Sequence, residues 1–167
     1  MAGLIESNVK GMTHSPRIVW FKRDLRINDH RPLLAAAQSY APVIPLYIVE
    51  PEYWQLPFAS RRHWHFIHDS LCELDVALAE LGQRLIVKVG DACEVIKDLH
   101  SKHNVVDVYA HEETGNNWTY RRDIAVQKMC QSNGVTLHET PTNGIVRRLR
   151  SRDDWSQIRN ARMAEKI

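Results

Sequence analysis

Apolar positions along this chain follow two rhythms. Arg17–Phe21, Val43–Val49, Leu85–Val89, Val105–Ala110 and Val135–His138 are short, dense runs rich in β-branched and aromatic residues, the mark of buried strands. Between them, apolar residues recur every three or four positions, the spacing of a helix that covers one face. The longest such stretch runs from Ser60 to Leu81. There Trp64, Ile67, Leu71, Leu74, Leu78 and Leu81 form one stripe, and Gly82 supplies the stop. Shorter helices are predicted from Asp29, as N-cap, to Ser39 with Pro32 in the first turn; from Gly90-Asp91, where Asp91 and Glu94 have capping-box spacing; and from Trp118 to Ser132, ending before Asn133-Gly134. Ser151 and Asp154 repeat that spacing ahead of a last amphipathic helix. Pro45 removes a ladder donor from the second strand, which predicts an edge or a bulge there.

Five apolar strands separated by helices predict an α/β fold: a three-layer, Rossmann-like, doubly wound five-stranded parallel sheet with helices on both faces. Residues 16–146 read as one domain, with a flexible leader at 1–15 and a basic helix at 147–167. Composition agrees, since 44% hydrophobic and 25% charged residues in 167 exclude disordered and fibrous classes. The net charge of +2 is no nucleic-acid signature, but it is unevenly spread. From Arg147 onward seven basic residues face three acidic ones, leaving the rest slightly acidic. Such a tail is either a solvated helix face or a contact with an acidic surface or phosphates. Cys72, Cys93 and Cys130 are far apart and each falls in a predicted helix, so all three read as small buried residues of a reducing compartment. With no apolar run of membrane-spanning length and no signal-peptide core, the expectation is a cytoplasmic protein without membrane contact.

Ligands of open parallel sheets bind outside the carboxyl ends of the strands. Lys22, Arg23, Asp24 and Arg26 follow the first strand here, Glu50 the second, and His111, Glu112 and Glu113 the fourth. No GxGxxG, GxxxxGK[ST] or GxSxG pattern occurs, which excludes the usual dinucleotide, P-loop and hydrolase machinery. The Lys22–Arg26 cluster reads as an anion site or, more simply, as a loop in which Arg23, Asp24, Arg26 and Asp29 satisfy one another. His65/His68 and His100/His103 each share a helix face, but no Asp, Glu or Cys completes a metal set, so no metal is expected. Glu112 and Glu113, consecutive in an extended segment, point in opposite directions and make no acid/base pair. No catalytic residue is expected.

Ile18–Asp29, reading IVWFKRDLRIND, closely resembles the opening strand and loop of DNA photolyases and cryptochromes, whose hallmark is WFRxDLRxxD. Pro45–Pro51 (PLYIVEP), Ser60-Arg61, Gly90-Asp91 and Arg122-Asp123 match that family in order and spacing. The resemblance implies the N-terminal α/β domain of such a flavoprotein. In the family it carries a light-harvesting antenna cofactor, while a helical domain holds FAD and meets damaged DNA. That FAD-binding domain has no counterpart in these 167 residues, so by resemblance the chain is not catalytic alone. Residues 147–167 would lead toward it, with Arg147–Arg152 as an interdomain contact. Carried over residue by residue, the antenna pocket comprises Tyr47, Ile48 and Glu50, Arg61, and Glu112, Glu113 and Thr114. Trp118-Thr119 stands where the folate-binding members have Asn-Glu, and Pro57 falls where they have a folate-contacting histidine. A flavin or deazaflavin is therefore expected rather than a folate. The alternatives are a stand-alone Rossmann-like module holding a flavin or nucleotide, and a structural module that has lost its antenna cofactor.

Overall fold

The structure, a computed structural model, describes residues 15–147 and 149–165. The expected leader, Ser15 apart, and Arg148, Lys166 and Ile167 of the basic tail lie outside the described residues. Eleven elements follow in order: β1 (Arg17–Phe21), α1 (Arg31–Gln38), β2 (Val43–Val49), α2 (Pro51–Trp54), α3 (Arg61–Glu80), β3 (Ile86–Val89), α4 (Ala92–His103), β4 (Asp107–His111), α5 (Asn117–Ser132), β5 (Thr136–Thr140) and α6 (Trp155–Ala164). All strand pairs are parallel, in the order β3-β2-β1-β4-β5. The chain winds outward in one direction from β1 to β3, then returns past β1 to β4 and β5. The order therefore reverses between β1 and β4, and the carboxyl ends of all strands open at one edge of the sheet.

Alternation along β1 divides the core between two faces. Val19 and Phe21 pack with Ala36 of α1 and Leu71, Leu74 and Leu78 of α3. Ile18 and Trp20 pack with Ile96 and Leu99 of α4 and Val126 and Cys130 of α5. This is the three-layer, doubly wound arrangement that the strand-helix rhythm predicts. Among the described residues no helix is long and apolar enough to cross a membrane.

Several local expectations are corrected. His30, not Asp29, caps α1: its Nδ1 accepts the Leu33 N–H at 3.1 Å, while Asp29 adopts a left-handed φ of 51° that an N-cap does not use. Pro45 lies in an internal strand without a bulge. It is tolerated because β3 begins to pair only at Leu46, leaving β2 a single neighbour, β1, at Pro45. The stripe on α3 ends at Leu78. Leu81 follows the last helical turn and is 62% exposed, because Gly82 turns the chain with φ at +79°. Cys72 is exposed, Cys93 half-buried and Cys130 buried, so only the last is a core residue. Ser151 does not cap α6; its hydroxyl donates to Asp153, and Asp154 occupies the N-cap without a side-chain bond.

The α3 boundary gives a direct test. Leu78→Ala should cost about 3 kcal/mol in urea-induced unfolding, since a buried side chain leaves a cavity. Leu81→Ala should cost less than about 0.5 kcal/mol. Equal losses would place Leu81 in the core and contradict the helix end described here.

Candidate functional site

The charged residues after the strands converge because a parallel sheet delivers them all to one edge. Asp123, in the second turn of α5, lies at the centre. It takes Lys22 Nζ from the end of β1 at 2.9 Å, Arg147 Nη2 from beyond β5 at 2.9 Å, and the neighbouring Arg122 Nη2 at 3.0 Å. Arg122 Nη1 in turn donates to Glu50 Oε2, at the exit of β2, at 2.7 Å. Burial alone would raise the Asp123 carboxyl, but Lys22 and Arg122 outweigh it and hold the group below the ordinary carboxylate range. Glu50 goes the other way, because burial outweighs the attraction of Arg122. Tyr47 is pushed up to about 12 by burial and then by Glu50, so its hydroxyl keeps its proton at neutral pH.

Above this ionic floor opens a cavity of about 880 Å³. One wall is aromatic: Tyr53 and Trp54 of α2, Phe58 beyond it, and Phe66 of α3. Tyr53 meets Trp54 at 5.4 Å, Phe58 at 5.9 Å and Trp118 of α5 at 5.5 Å between ring centroids, all edge-to-face or tilted. The lining also carries polar groups: Glu50, Glu113, Asn116, Thr119 and Arg122. Trp20 also borders the cavity, but Lys22 and Arg122 lie over its ring at 4.6 and 4.9 Å, so its face serves the floor.

Of the residues expected to form a pocket, Tyr47, Ile48, Glu50, Glu113 and Thr114 line this cavity together. Arg61 does not; it lines a separate groove on the far side of Trp54, with Trp64. Glu112 turns away from Glu113, as extended geometry requires, and reaches Arg162 of α6 at 3.8 Å. Arg122, Tyr53, Trp54 and Phe58 line the cavity but were not among the expected site residues. The sequence signal for the aromatic wall was the density of rings in a segment that otherwise reads as a loop after β2, Tyr53 to Phe58. Arg147, expected at an interdomain contact, turns inward: besides Asp123, it binds Glu139 at 3.0 Å and the Glu113 carbonyl at 2.9 Å.

The Lys22–Arg26 loop is not self-satisfied. Only Arg26 and Asp29 approach one another, at 3.9 Å, whereas Arg23 pairs with Glu113 at 3.7 Å. Asp24 is buried against two histidines. His111 Nδ1 donates to its Oδ2 at 2.5 Å, and His30 Nε2 lies 2.8 Å from the same oxygen, off the line of a good hydrogen bond. The three side chains could be taken for a metal set. Capping argues otherwise: His30 Nδ1 accepts the Leu33 N–H, which assigns its proton to Nε2 and makes that nitrogen a donor toward Asp24. The trio is a clasp between the loop after β1 and the end of β4.

Comparison with known proteins follows the same lines. The family model described as DNA photolyase matches residues 17–155. The chain is 35% identical over 126 residues to a deoxyribodipyrimidine photo-lyase of Agrobacterium fabrum, covering 74% of this chain and 25% of that protein. It is 33% identical over 113 residues to a cryptochrome DASH of Gloeobacter violaceus, covering 64% of this chain and 23% of that protein. The chain thus spans about a quarter of the length of these curated relatives. Among solved structures, a class III photolyase from Agrobacterium tumefaciens superposes with a TM-score of 0.74 at 28% identity, over 87% of this chain and 30% of that one. An archaeal photolyase from Sulfolobus tokodaii, described with two FAD molecules and a novel light-harvesting cofactor, superposes at 0.70 and 28% identity, over 91% and 35%.

The Asp24 clasp predicts the acid limb of stability. Burial would raise the Asp24 carboxyl, but the bond from His111 and the close approach of His30 outweigh it and hold the group far below its ordinary value. A depressed carboxyl stabilises fully above its unfolded value of about 3.9, and the contribution is lost as pH falls below that. Asp24→Asn should therefore cost about 3 kcal/mol at neutral pH and flatten the decline in stability below about pH 4. Urea unfolding across a pH series checks both; an unchanged acid limb would contradict the clasp.

Proposed function

The chain belongs to the DNA photolyase family, and on that premise we propose that its cavity at the strand ends holds a planar heteroaromatic antenna chromophore, a flavin or deazaflavin rather than a folate. The observation that carries this reading is the mixed lining of the cavity: about 880 Å³, lined by the rings of Tyr53, Trp54, Phe58 and Phe66 together with the charged Glu50, Glu113 and Arg122. A fused-ring system offers the matching pair of surfaces, an apolar face to stack and a polar edge to bond.

Each part of the chain has a task in this reading. Tyr53 and Phe58 stack on the ring face and exclude water from it. Glu50, fixed by Arg122, accepts hydrogen bonds from the ring edge, and Tyr47, protonated at neutral pH, donates one. Thr114 and Asn116 add further polar atoms to the lining. When bound, the chromophore supplies absorption in the near-ultraviolet and blue and the excitation to be passed on. We further infer that the chain's working partner is a helical FAD-binding domain, through which damaged DNA or a light signal is met.

The test is a titration of the purified chain with riboflavin, a 5-deazaflavin and a reduced folate, followed by absorbance and fluorescence. Saturable binding of the flavin or deazaflavin is expected, with the folate weaker. Tyr53→Ala should weaken binding about tenfold by removing the stacking surface. Arg61→Ala, on the far side of Trp54, should leave it unchanged. Absence of binding by all three compounds, or a larger effect at Arg61 than at Tyr53, would overturn the proposal.

A further inference from the structure

In open parallel sheets the helix that follows a strand offers its N-terminus to a ligand's phosphate, because its first N–H groups point outward and carry partial positive charge. The N-terminus of α5 is so placed. Gly115, Asn116 and Thr119 stand on the cavity wall at the strand-order reversal between β1 and β4. Yet the chain fills this position itself. Glu113, three residues before the N-cap, folds back so that its Oε1 accepts the Gly115 N–H at 2.9 Å. The same oxygen lies 3.7 Å from Arg23 Nη1, and Oε2 lies 3.9 Å from Arg122 Nη2. The Glu113 side chain is only 6% exposed.

Gly115 is what permits this. A Cβ at that position would stand 2.8 Å from Glu113 Oε1 and 2.9 Å from Arg23 Nη1. The glycine makes room for the protein's own carboxylate and its guanidinium partner. Two further N–H groups are closed as well: Asn116 N donates to Thr119 Oγ1 at 3.1 Å, and Thr119 N to Asn116 Oδ1 at 3.0 Å.

We propose that Glu113 is a built-in anion occupying the phosphate position of this α/β domain, so that the cavity selects a heteroaromatic ligand with no phosphate at the N-terminus of α5. The inference rests on the chromophore reading of the cavity. A phosphate brought to this position meets a buried carboxylate of like charge and finds the N–H groups of Gly115, Asn116 and Thr119 already engaged, which is discrimination by repulsion. A neutral ring bearing N–H groups meets the same carboxylate as an acceptor. One residue therefore rejects the first ligand class and attracts the second.

Riboflavin and FMN share a ring and differ by the phosphate on the tail, so the ratio of their dissociation constants isolates this effect. The wild-type chain should bind riboflavin at least as tightly as FMN. Glu113→Gln, which removes the charge and keeps the shape, should move the ratio toward FMN by about tenfold, the upper range for an anion gaining a helix N-terminus. Glu113→Ala should move it the same way and serves if the glutamine variant folds poorly. A wild-type preference for FMN, or a ratio unmoved by these substitutions, overturns the assignment while the cavity reading stands. Failure of riboflavin, FMN and the 5-deazaflavin alike to bind wild type and variants overturns the two together.

Discussion

One buried carboxylate organises the functional end of the domain. Asp123 is 4% exposed and is met by Lys22 from β1, Arg147 from beyond β5 and Arg122 from its own helix, while Arg122 extends the network to Glu50 beyond β2. Taking such charges out of water is costly, and the cost is offset only when each finds several partners in good geometry. Three cations around Asp123 and a second carboxylate behind Arg122 meet that condition. Removal of any one member would strand the others in the interior, so the strand ends and α5 are held in a single relative position. The cavity above inherits that rigidity, and a binding site made of fixed dipoles and charges needs no reorganisation when a ligand enters.

The same network accounts for the two-sided character of the cavity. Lys22 and Arg122 cover the face of Trp20 and make it part of the floor. The rings left to meet a ligand are those on α2, on the segment after it and on α3, where the core packing of the sheet does not claim them. The family match spans residues 17–155 and so includes Tyr53, Phe58 and Glu50; the structure adds that these three line one cavity.

The sequence carried the fold almost completely, because strand and helix periodicities depend on near neighbours. Errors arose where a backbone conformation overrode a side-chain preference. Asp29 looks like an N-cap but takes a left-handed φ, so His30 caps; Leu81 keeps the stripe's spacing but falls beyond the last turn. The site was only half legible. Tyr47, Ile48, Glu50, Glu113 and Thr114 could be placed because strand exits share one edge of the sheet. The pairing of Lys22 with Asp123, 101 positions apart, has no local signature, and Arg122 shows its role only through Glu50, 72 positions away. Arg61 was misleading for a related reason: it begins the right helix, but Trp54 stands between it and the cavity.

The most direct measurement is a crystal structure of the chain soaked with riboflavin. The account predicts ring density inside the cavity, its face against Tyr53 and Phe58 and its polar edge toward Glu50, with the Arg122–Asp123–Lys22 network unmoved. Density confined to the groove beside Arg61 and Trp64, or a displaced Arg122, would contradict it.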